Sequence, residues 1–400
     1  MSLHEVASGE RLHIGFFGMR NAGKSSIVNA VTGQKLSVVS DVKGTTTDPV
    51  KKTMELLPLG PVVIIDTPGL DDEGELGLLR VEKAKQILEE IHIAVLVLDA
   101  QKGWSEQDKM LVRQLQERKI SFVTVFNKAD LLKERQTLGD KALYVSAVTG
   151  EGVEELKNRL GAFAKNRGED RWVVKDLVNE GDMVVLVIPI DEAAPKGRLI
   201  MPQQMTIREL LDAHAVAITC QDTDLKRTLD NLPQKPKMVI TDSQAFGRVS
   251  RDTPPDIPLT SFSILMARYK GDLETQVRGA SALAHLKDGD RVLVSEGCTH
   301  HRQCQDIGTV KIPGWIRAFS GAEPEFVFTS GHEFPDDLSD FALVVHCGGC
   351  MLSEAAMRNR VAKTAAAEKP IVNYGVAIAH MNGILKRSLQ LFPEIQKLLD

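Results

Sequence analysis

Between Leu12 and about Phe163, short and nearly continuous apolar runs alternate with stretches whose apolar residues recur every three to four positions. The runs HIGFFG, VVIIDT, IAVLVLD, SFVTVFN and ALYVSA lack a polar face, as strands of a parallel sheet covered on both sides must. The stretches between them, such as Lys24 to Thr32 and Ser105 to Arg118, carry a single apolar face and predict helices. This alternation predicts an α/β doubly wound domain over residues 1–170. The charged stretch KNRGEDRW closes it and reads as a linker.

The pattern continues with a strand MVVLVIPI, a helix TIRELLDAHAVAI and a strand KMVIT, which predict a small α/β domain over 171–258. Thr206 and Glu209 form a T-x-x-E capping box at the expected helix start. Pro189 fits a strand MVVLVIPI that lies at an exposed edge and pairs with a second copy, and a core position is equally open. The proline-rich DTPPDIP marks the next boundary. A third α/β domain is expected over 259–400, with strands at Arg291–Ser295, Glu325–Thr329, Ala342–Val345 and Pro370–Asn373 and a helix near Ser353–Ala365. LVNEGDMVVLV and HLKDGDRVLVS echo each other, but so briefly that they read as shared chemistry at a strand start rather than a repeat.

At 400 residues the chain has room for these domains, each with its own core. Net charge −5, with 13 Phe, 3 Tyr and 3 Trp, argues against a nucleic-acid partner, which selects basic excess and stacking rings. No apolar run is long enough to span a bilayer, and the start MSLHEVASGE has no basic cap or apolar core of a signal peptide, so a cytoplasmic protein with no membrane contact is expected. Five cysteines do not make a disulfide framework. Cys220, ending AVAIT at the expected helix end, reads as a small buried hydrophobe, whereas Cys298, Cys304, Cys347 and Cys350 crowd the last quarter.

Directly after HIGFF comes Gly18-Met-Arg-Asn-Ala-Gly23-Lys24-Ser25, a complete G-x-x-x-x-G-K-S opening a helix. Glycines there let backbone N–H groups, including those of Ala22 and Ser26, turn onto a phosphate; Lys24 reaches its outer oxygens and Ser25 ligates Mg²⁺. Asp66-Thr-Pro-Gly69 ends VVII, where the carboxylate holds Mg²⁺ through water and the Gly69 N–H senses a γ-phosphate. Asn127-Lys128-Ala-Asp130 ends SFVTVF, and Ser146-Ala147 ends ALYV. In register, these resemble the motifs of translation-factor-related GTPases. Asp130 accepts two guanine N–H groups that adenine lacks, so GTP is preferred over ATP.

Lys43-Gly-Thr45-Thr46-Thr47-Asp48 resembles the G-T-T-x-D of tRNA-modification and Era-like GTPases, which implies Thr46 as a further Mg²⁺ ligand. Asn21 matches the asparagine that helps bind K⁺ in those relatives. Leu70 stands where Ras-type enzymes carry a water-orienting glutamine, so hydrolysis is expected to be slow and K⁺-assisted. Asp71, Asp72 and Glu73 either position water or form a solvated loop.

Cys298-Thr-His300 follows the strand RVLVS, and His346-Cys347-Gly-Gly-Cys350 follows ALVV. Ligands in open α/β sheets collect beyond the carboxyl ends of strands, so the two thiol loops are placed to converge. Glycines between Cys347 and Cys350 let the backbone wrap an ion or cluster. Spacing alone leaves tetrahedral zinc and a [4Fe–4S] cluster with one accessible iron both open.

A P-loop GTPase segment joined to C-x-H-x₄₅-H-C-x-x-C over the full length resembles the GTPase maturation factors of [FeFe]-hydrogenase. The resemblance implies a homodimeric scaffold that holds a [4Fe–4S] cluster through Cys298, Cys347 and Cys350, with His300, His346, Glu296, His301 or Cys304 as the open fourth position. It further implies a transient diiron subcluster, assembled with radical-SAM hydrogenase maturases and delivered to the apo-[FeFe]-hydrogenase. The competing expectation is an Era-like regulatory GTPase with a structural zinc domain acting on RNA or ribosomes. His332 and His380 read as structural.

Overall fold

The computed structural model describes residues 8–34, 50–67, 84–139, 142–165, 171–190, 199–297 and 306–399. The chain divides into two compact units, Met1–Glu169 and Asp170–Asp400.

The first unit is built on one six-stranded sheet of order β2-β3-β1-β4-β5-β6. Its strands are β1 (Leu12–Phe17), β2 (Val50–Leu56), β3 (Gly60–Asp66), β4 (Ile93–Asp99), β5 (Ser121–Asn127) and β6 (Ala142–Tyr144). All pairs are parallel except β2–β3. The central strands β1 and β4 are buried along their whole length, because helices cover both faces. On one face α1 (Lys24–Thr32) and α3 (Val153–Lys165) contribute Ile27, Val28, Val31, Leu156 and Leu160 to a core; on the other, α2 (Glu106–Glu117) contributes Leu111 and Leu115 to a second. α2 starts at a capping box in which Ser105 Oγ accepts from the Asp108 N–H and the Asp108 carboxylate from the Ser105 N–H. Sequence reading passed over β2, whose VKKTMEL has mostly exposed side chains; among the described strands it pairs only with β3 and so lies at the edge of the sheet they form.

The second unit contains two four-stranded parallel sheets that share one core. The first, of order β10-β9-β7-β8, comprises β7 (Met183–Val187), β8 (Val216–Cys220), β9 (Met238–Thr241) and β10 (Leu259–Ser261). The second, of order β12-β11-β13-β14, comprises β11 (Arg291–Glu296), β12 (Glu325–Ser330), β13 (Phe341–His346) and β14 (Ile371–Asn373). Both sheets follow the same winding: the first strand is interior, the second flanks it, the third takes its other side and the fourth lies outside the third. The strand starts match as well. The Asp182 carboxylate accepts from the Asn179 N–H and that of Asp290 from the Lys287 N–H, each at 2.8 Å, across a left-handed glycine, Gly181 or Gly289. The short sequence echo therefore marks a topology shared by both sheets, beyond the turn chemistry expected from it.

Several expectations change here. The helix expected over TIRELLDAHAVAI is α4 (Met201–Asp212), which begins at Met201-Pro202 and stops before His214, a residue with φ of 55°. The β-branched stretch that follows is strand β8, so Cys220 ends a strand, where it is half-buried. Thr206 is therefore inside α4, its hydroxyl donating to the Pro202 carbonyl, and the capping box expected from Thr206 and Glu209 does not form. Glu209 instead accepts the N–H groups of Val173, Val174 and Lys175 at 2.8–3.1 Å. MVVLVIPI is interior: β7 runs between β9 and β8 fully buried, and Pro189 lies past its end. The boundary expected at 258/259 falls within the first of these sheets, because Leu259–Ser261 pairs with Val239–Thr241. Helix α5 (Phe262–Lys270) follows β10, α6 (Glu354–Ala366) follows β13, and α7 (Tyr374–Met381) follows β14.

Candidate functional site

The nucleotide motifs gather at the carboxyl ends of β1, β3, β5 and β6. Gly18 (φ 146°) and Gly23 (φ 89°) bend the loop where side chains have no room. A Cβ on Gly18 would lie 2.1 Å from the Val97 carbonyl oxygen, and one on Gly23 2.2 Å from Asn127 Nδ2. Asn21 is also left-handed, at φ 60°. Lys24 Nζ donates to the carbonyls of Gly18 (2.9 Å) and Met19 (3.0 Å), which keeps its charge inside the loop that a phosphate would enter. Ser25, one position on in α1, donates through Oγ to Asp66 Oδ2 at 2.7 Å. The other oxygen, Asp66 Oδ1, is buried and has no hydrogen-bond partner among the described residues. An orphaned carboxylate oxygen beside a serine hydroxyl is the donor chemistry that a hydrated Mg²⁺ takes.

Asn127 ties three loops together: its Nδ2 donates to the Ala22 carbonyl at 2.9 Å, and its Oδ1 accepts from the Ala147 N–H at 3.2 Å. Ser146 Oγ donates to Asp130 Oδ1 at 2.6 Å, orienting that carboxylate. Lys128 (φ 65°) pairs with Asp99 at 2.7 Å. Burial pushes the Asp99 carboxyl up, but the hydrogen bonds from Lys128 and the Gln101 N–H hold it below its usual value. Lys128 and Asp99 thus brace the wall next to the expected base pocket; Asp99 escaped sequence reading because it ends an apolar strand outside every motif. Ser26 lies in the first turn of α1. Thr46, Gly69, Leu70, Asp71, Asp72 and Glu73 lie outside the described residues.

In the second unit, β11 ends at Glu296 and β13 at His346, neighbouring parallel strands in which Ser295 lies opposite His346. Cys347 Sγ accepts from the Gly297 N–H at 3.0 Å and the Gly349 N–H at 3.4 Å. Gly297 therefore sits against the Cys347 sulfur, and Cys298 is the next residue in sequence. Burial pushes the Cys347 thiol up to about 11, against the lowering effect of those two N–H groups. A buried sulfur with amide donors suits a thiolate only when a cation offsets its charge, and iron or zinc supplies one. Cys350 is partly buried at the margin of the same core. Cys298, His300, His301 and Cys304 lie outside the described residues, and among the described ones no three His, Cys, Asp or Glu side chains cluster as a metal site.

His346 has both ring nitrogens engaged, with Arg360 Nη1 at 2.8 Å from Nε2 and the Cys347 carbonyl at 2.7 Å from Nδ1. A guanidinium only donates, so Nε2 accepts and Nδ1–H donates to the Cys347 carbonyl. Burial and then the Arg360 charge hold this imidazole at about 3, hence neutral. As arranged, His346 locks the cysteine loop and offers no free lone pair to a metal. Glu296 is buried and accepts from the Tyr374 hydroxyl at 3.4 Å, which leaves it as the expected fourth ligand within the described residues.

Residues 13–128 match the family described as 50S ribosome-binding GTPase, 173–271 the hydrogen maturase F dimerization domain, and 274–391 the hydrogen maturase F tetramerization domain. The first unit is thus a GTPase domain. Curated relatives include GTPase Der of Kosmotoga olearia, 34% identical over 39% of this chain and 39% of its own length. Another is the tRNA modification GTPase MnmE of Dechloromonas aromatica, 31% identical over 41% of this chain and 38% of its own. The chain thus spans about two fifths of the length of these relatives. A solved structure of a probable GTP-binding protein engB is 24% identical over 39% of this chain and 100% of its own, with a TM-score of 0.32. No helix among the described residues is long and apolar enough to cross a membrane. The segment expected to bind a cluster thus also carries an assembly description, which nothing in its sequence pattern suggested.

Proposed function

Because the chain belongs to the hydrogen maturase F family, we propose that it is a cytoplasmic GTP-hydrolysing scaffold that holds a [4Fe–4S] cluster, on which the diiron precursor of the [FeFe]-hydrogenase site is assembled and from which it is delivered. The observation that carries the reading is the contact of Gly297 N–H with Cys347 Sγ, which brings the start of the Cys298 loop onto the second thiol loop. Cys298, Cys347 and Cys350 hold the cluster, and Glu296 or His300 supplies an exchangeable fourth ligand. An exchangeable position gives the incoming diiron unit a place to attach.

In the first unit, Lys24 and the N–H groups of the loop from Gly18 to Ser26 bind the GTP phosphates. Ser25 and Thr46 ligate Mg²⁺, with Asp66 holding one of its waters through Oδ1. Asn127, Asp130, Ser146 and Ala147 enclose guanine, Gly69 senses the γ-phosphate, and Asn21 contributes to a K⁺ that stabilises charge developing at the phosphates. Residues 1–170, 171–258 and 259–400 act as GTPase, self-association and cluster segments, with β10 and α5 counted with the middle one because β10 pairs with β9 and the dimerization match runs to residue 271. The chain self-associates as a homodimer, and its further partners are radical-SAM hydrogenase maturases and the apo-hydrogenase.

Anaerobic purification followed by iron and sulfide analysis tests the cluster. About four irons per chain with broad absorption near 400 nm supports it, whereas stoichiometric zinc and no colour overturns it in favour of a structural zinc domain. Ala at Cys347 or Cys350 removes the iron and leaves GTP turnover unchanged. Turnover in K⁺ exceeds that in Na⁺ and loses this preference in Asn21→Ala; equal rates in the two salts remove the K⁺ role.

A further inference from the structure

A helix rooted in the dimerization segment forms the floor of the cysteine loop. α5 lies within 173–271, yet a Cβ on Gly348 would be 3.7 Å from Met266 Cβ and 3.9 Å from Ser263 Oγ of that helix. At its last turn Lys270 is 1% exposed, and its ammonium donates to the carbonyls of Leu352 (2.8 Å), Cys350 (3.2 Å) and Gly349 (3.4 Å). From the other side Arg360 of α6 is 3% exposed and donates to Ser295 Oγ at 3.1 Å, His346 Nε2 at 2.8 Å and the Gly331 carbonyl at 2.7 Å. One guanidinium thereby fastens the ends of β11, β13 and β12, while one ammonium fastens the backbone around Cys350.

Carbonyl caps of this kind can be made by a neutral donor at far lower desolvation cost than a buried cation. Interior positive charge is favoured where an anion is to be held. An iron–sulfur cluster on thiolates is such an anion, and it becomes more negative when reduced. We propose that Lys270 is a positioning residue for the cluster, its hydrogen bonds fixing the C-x-x-C backbone and its charge, with that of Arg360, favouring the reduced cluster. The inference rests on the reading of Cys298, Cys347 and Cys350 as cluster ligands. It also gives α5 a second role, since the helix that belongs to the self-association segment sets the geometry and the potential of the metal site in the next one.

The test uses the full chain, reconstituted anaerobically with ferrous iron and sulfide, as wild type, Lys270→Met and Lys270→Gln. Circular dichroism reports folding, iron loss to a chelator reports retention, and a dithionite titration followed by EPR gives the midpoint potential. Both variants shift the midpoint to more negative potential. Lys270→Met also loses iron several-fold faster than wild type, whereas Lys270→Gln, whose amide still donates, retains it better than Lys270→Met. GTP turnover is the same in all three. A wild-type midpoint in either folded variant overturns the role of the charge, and wild-type retention in Lys270→Met overturns the positioning role. If Lys270→Met does not fold, the midpoint of Lys270→Gln decides. A wild-type chain that takes up no iron overturns the cluster reading itself, a different outcome from an iron-loaded chain indifferent to residue 270.

Discussion

Asp66 and His346 are both buried polar side chains at strand ends, and hydrogen bonding alone separates their roles. Asp66 has one oxygen on Ser25 and the other without a partner among the described residues, whereas His346 has both nitrogens satisfied. The first is incomplete without a ligand and the second is complete without one. Asp66→Asn is therefore expected to reduce Mg²⁺-dependent GTP turnover by about 10²–10³-fold, the range for removing one group that stabilises transition-state charge, while guanine nucleotide still binds. Turnover at saturating Mg²⁺ beside a fluorescent-nucleotide titration checks this; unchanged turnover means Asp66 has no part in the metal site. The phosphate loop was legible in the sequence because Gly18 to Ser25 are contiguous and their spacing is the geometry. Lys270 and Arg360 were not, because each reaches its partners from another element, Lys270 from 82 positions before Leu352.

At the level of elements, α4 and β8 show how a local pattern misleads. TIRELLDAHAVAI carries helix-like spacing throughout, but left-handed His214 ends the helix, and Val216, Ile218 and Thr219 continue as an edge strand. This changes which strand is available to a second copy. Among the described strands β7 is paired on both sides, while β8 pairs only with β7. Val216 donates to the Asp182 carbonyl, and in a parallel ladder alternate N–H groups face the same neighbour, so those of Ala217 and Thr219 face the open edge. Thr219→Pro removes an outward donor and no bond to β7. If the edge pairs copies, sedimentation across a concentration series shows weaker self-association for Thr219→Pro at unchanged GTP turnover; association equal to wild type places the interface elsewhere. Glu209 carries the same lesson, because its spacing to Thr206 reads as a cap for its own helix and it caps residues 173–175 instead.

Over the whole molecule, the separate cores of the two compact units predict two thermal transitions. A non-hydrolysable GTP analogue with Mg²⁺ at about 100 times its dissociation constant adds about 2.7 kcal/mol to the unit that binds it, raising that transition by about 5–10 °C. Calorimetry that moves only one transition supports independent units, and movement of both reveals thermodynamic coupling between the nucleotide unit and the second one. The α/β class, every strand except β2, β8 and β10, and the phosphate loop were readable from the amino-acid sequence, because each is encoded in residues adjacent in the chain. Packing in three dimensions decided that β7 is interior and β8 an edge among the described strands, that the last two sheets share one winding order, that both His346 nitrogens meet Arg360 and the Cys347 carbonyl, and that Lys270 and Arg360 stand at the cysteine loop. Each of those depends on which surfaces are buried against which, and burial is a property of the packed chain that periodicity along a single segment does not carry.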